Sequence, residues 1–325
     1  MKDTTTMVFG LTANLDLVNE ICEYLKIEPG KISVSHFADG EILVEPEESV
    51  RGKRVYLVQS SCKPTTEHLM EILIAVDAFR RASAREITCI MPYFGYARQD
   101  RKARPRQPIT SKLVADLIST AGADRVVMFD LHAAQIQGFF NCPSDNLTTI
   151  PMMGAYFKRH PKIKLENTVV VSPDHGGTTR ARSLAEILGV PLAIVDKRRP
   201  QANVAVANDV IGDVAGKDCI VVDDICDTGG SLVASCDILK DKGAKDIYVA
   251  IAHPVFSGNA AEKIHNSCIK EMVVSNTIPL SEEAKKYKKI KVVSVGKLLA
   301  GLIDAISNNT PVSDIYNFQD HSFDF

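Results

Sequence analysis

The sequence predicts an α/β protein made of two duplicated halves, each a mainly parallel sheet flanked by helices. Short β-branched runs such as Val169-Val170-Val171 and Ile220-Val221-Val222 alternate with longer stretches of 3.6-residue apolar period, the pattern of βαβ units. The halves also align with each other in three blocks that keep their order. The segment from Thr6 matches that from Thr168, Gly52 matches Gly216, and Ala84 matches Ala244, at an offset of ~160 residues each time. A length of 325 residues fits two domains of about 150 residues. We place the first domain at 1–148, the second at 149–305, and a tail, 306–325, packing back on the first domain. The substrate site is expected in the cleft between the halves.

Along the first half, the Thr6 segment reads as a strand, a loop and an amphipathic helix. Phe37-Ala38-Asp39-Gly40-Glu41 is a turn whose acids either read purine donors or simply solvate a hairpin. Arg98-Gln99-Asp100-Arg101-Lys102-Ala103-Arg104-Pro105-Arg106 follows a strand ending at MPYFGYA and sets five cations against one carboxylate. By charge alone that run is a solvated loop. Asp130-Leu131-His132 ends the strand VVMF, with Asp130 and His132 on one side of an extended chain. His132 is open there between ligating a cation, binding a phosphate oxygen and capping the strand.

In the second half, Ser172-Pro173-Asp174-His175-Gly176-Gly177 runs from a strand into the helix TTRARSLAEIL. It offers outward amides for a pyrophosphate and an acid for its Mg2+, or a plain N-cap by Asp174. Asp196-Lys197-Arg198-Arg199-Pro200 is a basic turn that aligns, in the internal repeat, with the segment around Phe37. Asp223 and Asp224 end a strand, and Asp227-Thr228-Gly229-Gly230-Ser231 leads into a helix that stops at Gly243. Amides at a helix N-terminus, with the Thr228 and Ser231 hydroxyls, suit a phosphate monoester. Two adjacent acids repel unless they accept hydrogen bonds or face a cation, and a ribose diol with Mg2+ offers both. The first half has Gln59-Ser60-Ser61-Cys62-Lys63-Pro64 at the matching place, so only the second half should hold this ligand. The later run Lys285, Lys286, Lys288, Lys289 and Lys291 is a solvated surface.

Composition narrows the partners. With 38 basic and 40 acidic residues the net charge is −2, which gives no global field for nucleic acid or an anionic membrane. No run of about 18 uncharged apolar residues occurs, and we expect a cytoplasmic enzyme. Eight scattered cysteines without a C-x-x-C pair indicate neither a zinc site nor a disulfide framework. There is no G-x-x-x-x-G-K-[ST], so any ATP must be held without a P-loop.

VVDDICDTGGS resembles the phosphoribosyl pyrophosphate loop shared by phosphoribosyltransferases and the pyrophosphokinases that make their substrate. FADGE, RQDRKARPR, DLHAAQIQGFF, SPDHGG and DKRRP follow in family order over nearly the whole chain, and resemble the class I ribose-phosphate pyrophosphokinases. The resemblance implies two phosphoribosyltransferase-like domains and transfer of the β,γ-pyrophosphoryl group of Mg-ATP to the C1 hydroxyl of ribose 5-phosphate. It puts ATP on Phe37, Asp39, Gly40, Glu41, Arg98, Gln99 and His132, with the adenine site contributed across a subunit boundary. It gives Mg2+ to Asp130, His132 and Asp174, and pyrophosphate to Asp174, His175, Gly176 and Gly177. Ribose 5-phosphate falls to Arg199, Asp223, Asp224, Asp227, Thr228, Gly229, Gly230 and Ser231. Lys197 and Arg199 are then catalytic on a flap over the reacting phosphates. Ser49, Arg51 and Arg106 match an effector site for phosphate or ADP, and the family suggests a homohexamer built from dimers.

Two departures stand out. Asn141 occupies a position where many members carry an acid, and the ending PVSDIYNFQDHSFDF is not the family's. A phosphoribosyltransferase, a silent regulatory member and a nucleic-acid binder are the alternatives. Full-length duplication argues against the first, the intact Lys197, Arg199, Asp223 and Asp227 against the second, and the charge balance against the third.

Overall fold

Apolar β-branched runs with no polar face can be satisfied only inside a sheet covered on both sides, and that is where the chain puts them. The computed structural model describes residues 5–196 and 209–316, which form two units. The first contains β1 (Thr6–Gly10), α1 (Leu15–Leu25), β2 (Ile32–His36), β3 (Ile42–Pro46), β4 (Arg54–Val58), α2 (Thr65–Arg81), β5 (Glu86–Met91), α3 (Thr110–Ala121), β6 (Arg125–Phe129) and β7 (Ser144–Leu147). Its sheet runs β1-β4-β5-β6-β7 with every pairing parallel, and β2 and β3 form a separate antiparallel hairpin. Helix α1 starts where the Asn14 side chain accepts the Leu17 amide at 3.3 Å. It buries Leu17, Val18 and Ile21, three residues whose spacing makes one helical face. In the core Phe9 lies 4.7 Å from Phe79, centroid to centroid. Each fully buried Val, Ile or Phe there contributes about 1.5–3 kcal/mol.

The second unit contains α4 (Ile150–Arg159), β8 (Thr168–Ser172), α5 (Thr178–Leu188), β9 (Leu192–Asp196), β10 (Asp209–Ile211), β11 (Asp218–Cys226), α6 (Gly230–Asp241), β12 (Ile247–Pro254), α7 (Ala260–Asn266), β13 (Glu271–Ser275) and β14 (Ile290–Val293). The sheet order is β10-β9-β8-β11-β12-β13-β14, and only the β10–β9 pairing is antiparallel. Remove β9 and β10 and the order β8-β11-β12-β13-β14 repeats β1-β4-β5-β6-β7 strand for strand. The hairpin β2–β3 and the pair β9–β10 hold the same place in the two halves. Residues 197–208, between β9 and β10, lie outside the described residues, and Lys197 and Arg199 lie there with them.

The chain changes unit at Thr148/Thr149, but the return differs from the boundary expected at 306. Helix α8 (Gly296–Ser307) belongs to the first unit, which the chain rejoins at Ser294. The reason is packing: α8 lies against α1. A Cβ on Gly296 would stand 2.5 Å from the Glu20 carboxyl carbon, so a larger residue there would push the Glu20 side chain aside. Ser294 Oγ donates to Glu20 Oε2 at 2.5 Å, and Arg54 Nη1 donates to the Ser307 carbonyl at 2.5 Å. All eight cysteines are free thiols, six of them buried. Burial pushes the Cys22 and Cys62 thiols up to about 11, so they stay protonated and inert. Among the described residues no helix is long and apolar enough to cross a membrane.

Candidate active site

Both sheets carry their loops at the carboxyl ends of the parallel strands, where open α/β sheets take ligands. The second unit has the richer set. Strand β11 runs on to Cys226, pairing Ile225 with His253 and Cys226 with Pro254, so Asp223 and Asp224 lie inside the strand and do not end it as expected. The long partner β12 is what keeps the pairing going. Arg180, in the first turn of α5, brings Nη1 to 3.3 Å from Asp223 Oδ1 and 3.4 Å from Asp224 Oδ1. The Asp224 amide donates to Asp223 Oδ1 at 2.9 Å. Burial, followed by the hydrogen bond and charge of Asp224, pushes the Asp223 carboxyl well above the usual carboxylate range, against the pull of Arg180. Two oxygen-only groups that repel each other this strongly fit the hydroxyls of a diol and a hard cation such as Mg2+.

Next along the chain, Thr228, Gly230 and Ser231 are exposed and Gly229 is buried. Gly229 has φ 73°, a left-handed conformation that turns the strand into α6. The connection between β12 and α7 straps this loop from behind. Phe256 N donates to the Cys226 carbonyl and Ser257 N to the Asp227 carbonyl, both at 3.0 Å, while Lys263 Nζ reaches the Thr228 carbonyl at 3.5 Å. The carbonyls of Cys226, Asp227 and Thr228 are therefore occupied, and the turn presents a helix N-terminus, the end of a helix that favours an anion.

The loop after β8 is built differently. Asp174 is exposed, yet its Oδ1 accepts the Gly177 amide at 3.0 Å, and Ser172 Oγ donates to the Asp174 carbonyl at 2.6 Å. Thr178 Oγ1 donates to the His175 carbonyl at 2.8 Å, and His175 Nε2 lies 3.1 Å from Asp196 Oδ1. Asp174, expected on a metal, thus shapes the loop from within. His175 and Gly176 are exposed, and Gly177 is buried at the start of α5.

In the first unit, Phe37 is 54% exposed at the tip of the β2–β3 hairpin. Its turn closes through Phe37 N to the Glu41 carbonyl and Gly40 N to the Phe37 carbonyl, each at 2.9 Å. Asp39 Oδ1 accepts the Glu41 amide at 3.1 Å. Arg98 and Gln99 are exposed beyond β5, with Gln99 Oε1 accepting from Thr110 Oγ1 at 2.5 Å. Asp130 has φ 36°, so extended alternation breaks after Phe129 and does not carry Asp130 and His132 to one side as expected. Asp130 is buried and accepts from Thr148 Oγ1 at 2.8 Å, whereas His132 is exposed. Among the described residues no three His, Cys, Asp or Glu side chains gather as a metal centre. Arg51 Nη1 donates to Ser83 Oγ at 3.1 Å; Ser49 and Arg106 are exposed, the latter with φ 68°. Asn141 Nδ2 donates to Asp116 Oδ1 at 3.2 Å.

Arg180 is the residue the sequence reading missed. Its only sequence signal is a cation in the first turn of the helix that follows the SPDHGG loop, and sheet order alone brings it beside β11.

Comparison with known proteins agrees with this geometry. A family model described as the N-terminal domain of ribose phosphate pyrophosphokinase matches residues 6–122, and one described as a phosphoribosyl synthetase-associated domain matches 197–317. The chain is 51% identical to a ribose-phosphate pyrophosphokinase of Staphylococcus saprophyticus over 97% of its own length and 98% of the relative's. It is 53% identical to that of Bacillus caldolyticus, covering 95% and 97%. A crystal structure of phosphoribosylpyrophosphate synthetase from Mycobacterium smegmatis superimposes with a TM-score of 0.88 at 40% identity, covering 94% of this chain and all of that one.

Proposed function

The chain belongs to the ribose-phosphate pyrophosphokinase family, and from that premise we propose that it transfers the β,γ-pyrophosphoryl group of ATP to the C1 hydroxyl of ribose 5-phosphate, giving phosphoribosyl pyrophosphate and AMP. The observation that carries the reading is the β11–α6 loop. It joins an acid pair, Asp224 buried and Asp223 half-buried, to a helix-opening turn with Thr228, Gly230 and Ser231 exposed, the two chemistries that a sugar diol and a phosphate monoester ask for. Asp223 and Asp224 orient the ribose, and the Thr228–Ser231 turn holds its 5-phosphate.

The C1 oxygen attacks the β-phosphorus in line as the bond to the α-phosphate oxygen breaks and AMP leaves. The attacking hydroxyl loses its proton to solvent, and because attack is direct at the β-phosphorus the group that moves is a pyrophosphate and no residue of the chain is phosphorylated. Positioning and charge neutralisation, not covalent help, dominate such a transfer. The Asp174–Gly177 loop receives the pyrophosphate on its exposed His175 and Gly176, and Lys197 and Arg199, outside the described residues, act on the reacting phosphates. Mg2+ fits beside the acid pair and, with Asp130, His132 and Asp174, would supply charge neutralisation for the phosphates. Phe37, Asp39, Gly40 and Glu41 receive adenine, and Arg98, Gln99 and His132 the nucleotide's phosphates and ribose. A Phe37 half exposed on a hairpin tip supports its donation to a neighbouring subunit in a homohexamer. Ser49, Arg51 and Arg106 receive a phosphate or ADP effector.

The test is AMP release from Mg-ATP with and without ribose 5-phosphate. Sugar-dependent AMP with no ADP supports pyrophosphoryl transfer; ADP as product, or AMP independent of sugar, rejects it.

A further inference from the structure

Nothing in the chemistry of pyrophosphoryl transfer calls for a half-buried cation against the sugar acids, yet one is there. Arg180 sits 3.3 Å from Asp223 and 3.4 Å from Asp224 with its side chain 17% exposed, and the Asp224 side chain is 7% exposed. At such depth charges interact much more strongly than in bulk water. One guanidinium nitrogen, Nη1, meets one oxygen of each acid, so a single charge bridges the two and holds those oxygens near a common point. It also spans two elements: helix α5 begins directly after the Asp174–Gly177 loop that follows β8, while the acids belong to β11, the parallel partner of β8.

We propose that Arg180 is a positioning residue for the sugar diol, holding Asp223 and Asp224 in the spacing that the 2- and 3-hydroxyls of ribose 5-phosphate require. The inference rests on reading the β11–α6 loop as the ribose 5-phosphate site. Arg180 acts through the two acids and touches no reacting atom. Side chains that support a binding group in this way decide whether it is already in place when the ligand arrives. Its loss therefore weakens the contacts to the hydroxyls, and leaves the contacts to the 5-phosphate and to ATP as they were.

The experiment compares the full-length wild type with Arg180→Gln and Arg180→Lys, measuring kcat and the KM for each substrate. It adds the inhibition constant of 2-deoxyribose 5-phosphate, which lacks one of the hydroxyls. Arg180→Gln is expected to raise the KM for ribose 5-phosphate roughly ten- to a hundredfold, the range for a lost hydrogen bond to a charged group. The KM for ATP should move by less than about twofold, and the deoxy sugar should lose markedly less than ribose 5-phosphate. Arg180→Lys should fall between, because an ammonium keeps the charge but not the planar head group and its reach. An equal loss for both sugars, or an unchanged ribose 5-phosphate KM, overturns the proposal. Should Arg180→Gln not fold, Arg180→Lys is measured in an Asp224→Asn background: its effect should shrink there, and full additivity overturns the proposal. Failure of the underlying reading looks different, since Asp224→Asn alone would then leave the ribose 5-phosphate KM untouched.

Discussion

The loops that follow β4 and β11 are two copies of one design put to opposite uses. After β4, Gln59, Ser60 and Ser61 are each 1% exposed and spend their polar groups on the protein itself. Gln59 accepts the Ala13 amide at 2.9 Å and donates to Glu71 Oε2 at 2.6 Å, and Ser60 Oγ donates to the Thr277 carbonyl at 2.5 Å. Ser61 Oγ accepts the Gly95 amide at 2.7 Å. After β11 the carbonyl side is strapped down, and Thr228, Gly230 and Ser231 face solvent. A strand-loop-helix frame is thus no site in itself. It becomes one when its polar residues face solvent, and it becomes a structural joint when they are buried and satisfied from within.

Four substitutions break or sharpen that contrast. The largest effect belongs to the other pair of counterparts, the β2–β3 turn and the β9–β10 connection: Lys197→Ala should lower kcat about a thousandfold with the ribose 5-phosphate KM nearly constant, the behaviour of a transition-state contact. Steady-state kinetics decide it, and a raised KM at normal kcat would remove Lys197 from the chemistry. Asp224→Ala should raise the ribose 5-phosphate KM by ten- to a hundredfold or so, since it removes an acceptor from the open copy. Isothermal titration with the sugar phosphate checks this directly. In the closed copy, Glu71→Ala strands the Thr12 hydroxyl, held at 2.7 Å, and the Gln59 amide. It should cost about 2 kcal/mol of stability, read by denaturant unfolding, with both KM values unaltered; a shift in either KM would show that the first copy still serves a ligand. Smallest is Gly229→Ala, which should cost about 1 kcal/mol for a left-handed backbone at φ 73°. Nothing crowds its Cβ more closely than the Ala260 carbonyl at 3.6 Å, so a larger loss of stability would mean that strain is not the reason glycine stands there.

Much of this was legible in the sequence because it is written in local pattern. The β-branched runs, the block order and the glycines at 229 and 230 each carry their meaning within a few residues. The same is true of the Asp223-Asp224 pair. What the sequence hid depends on packing between distant segments. Arg180 acquires a role only because β8 and β11 are neighbours in the sheet. Helix α8 has an ordinary amphipathic pattern that does not say which unit it covers, and the close approach of Gly296 to Glu20 answers that. Asp130 was read with an extended backbone, and its positive φ, invisible in residue type, turned it inward.

The return of α8 has a consequence for how the chain is made. The flank of α1 that α8 covers leaves the ribosome early, while its cover is translated almost last, after every strand of the second unit. At ordinary elongation rates that interval is on the order of tens of seconds. The half whose sequence comes first is therefore the half completed last, and a nascent chain halted before Ser294 exposes an apolar helix face for chaperones to shield.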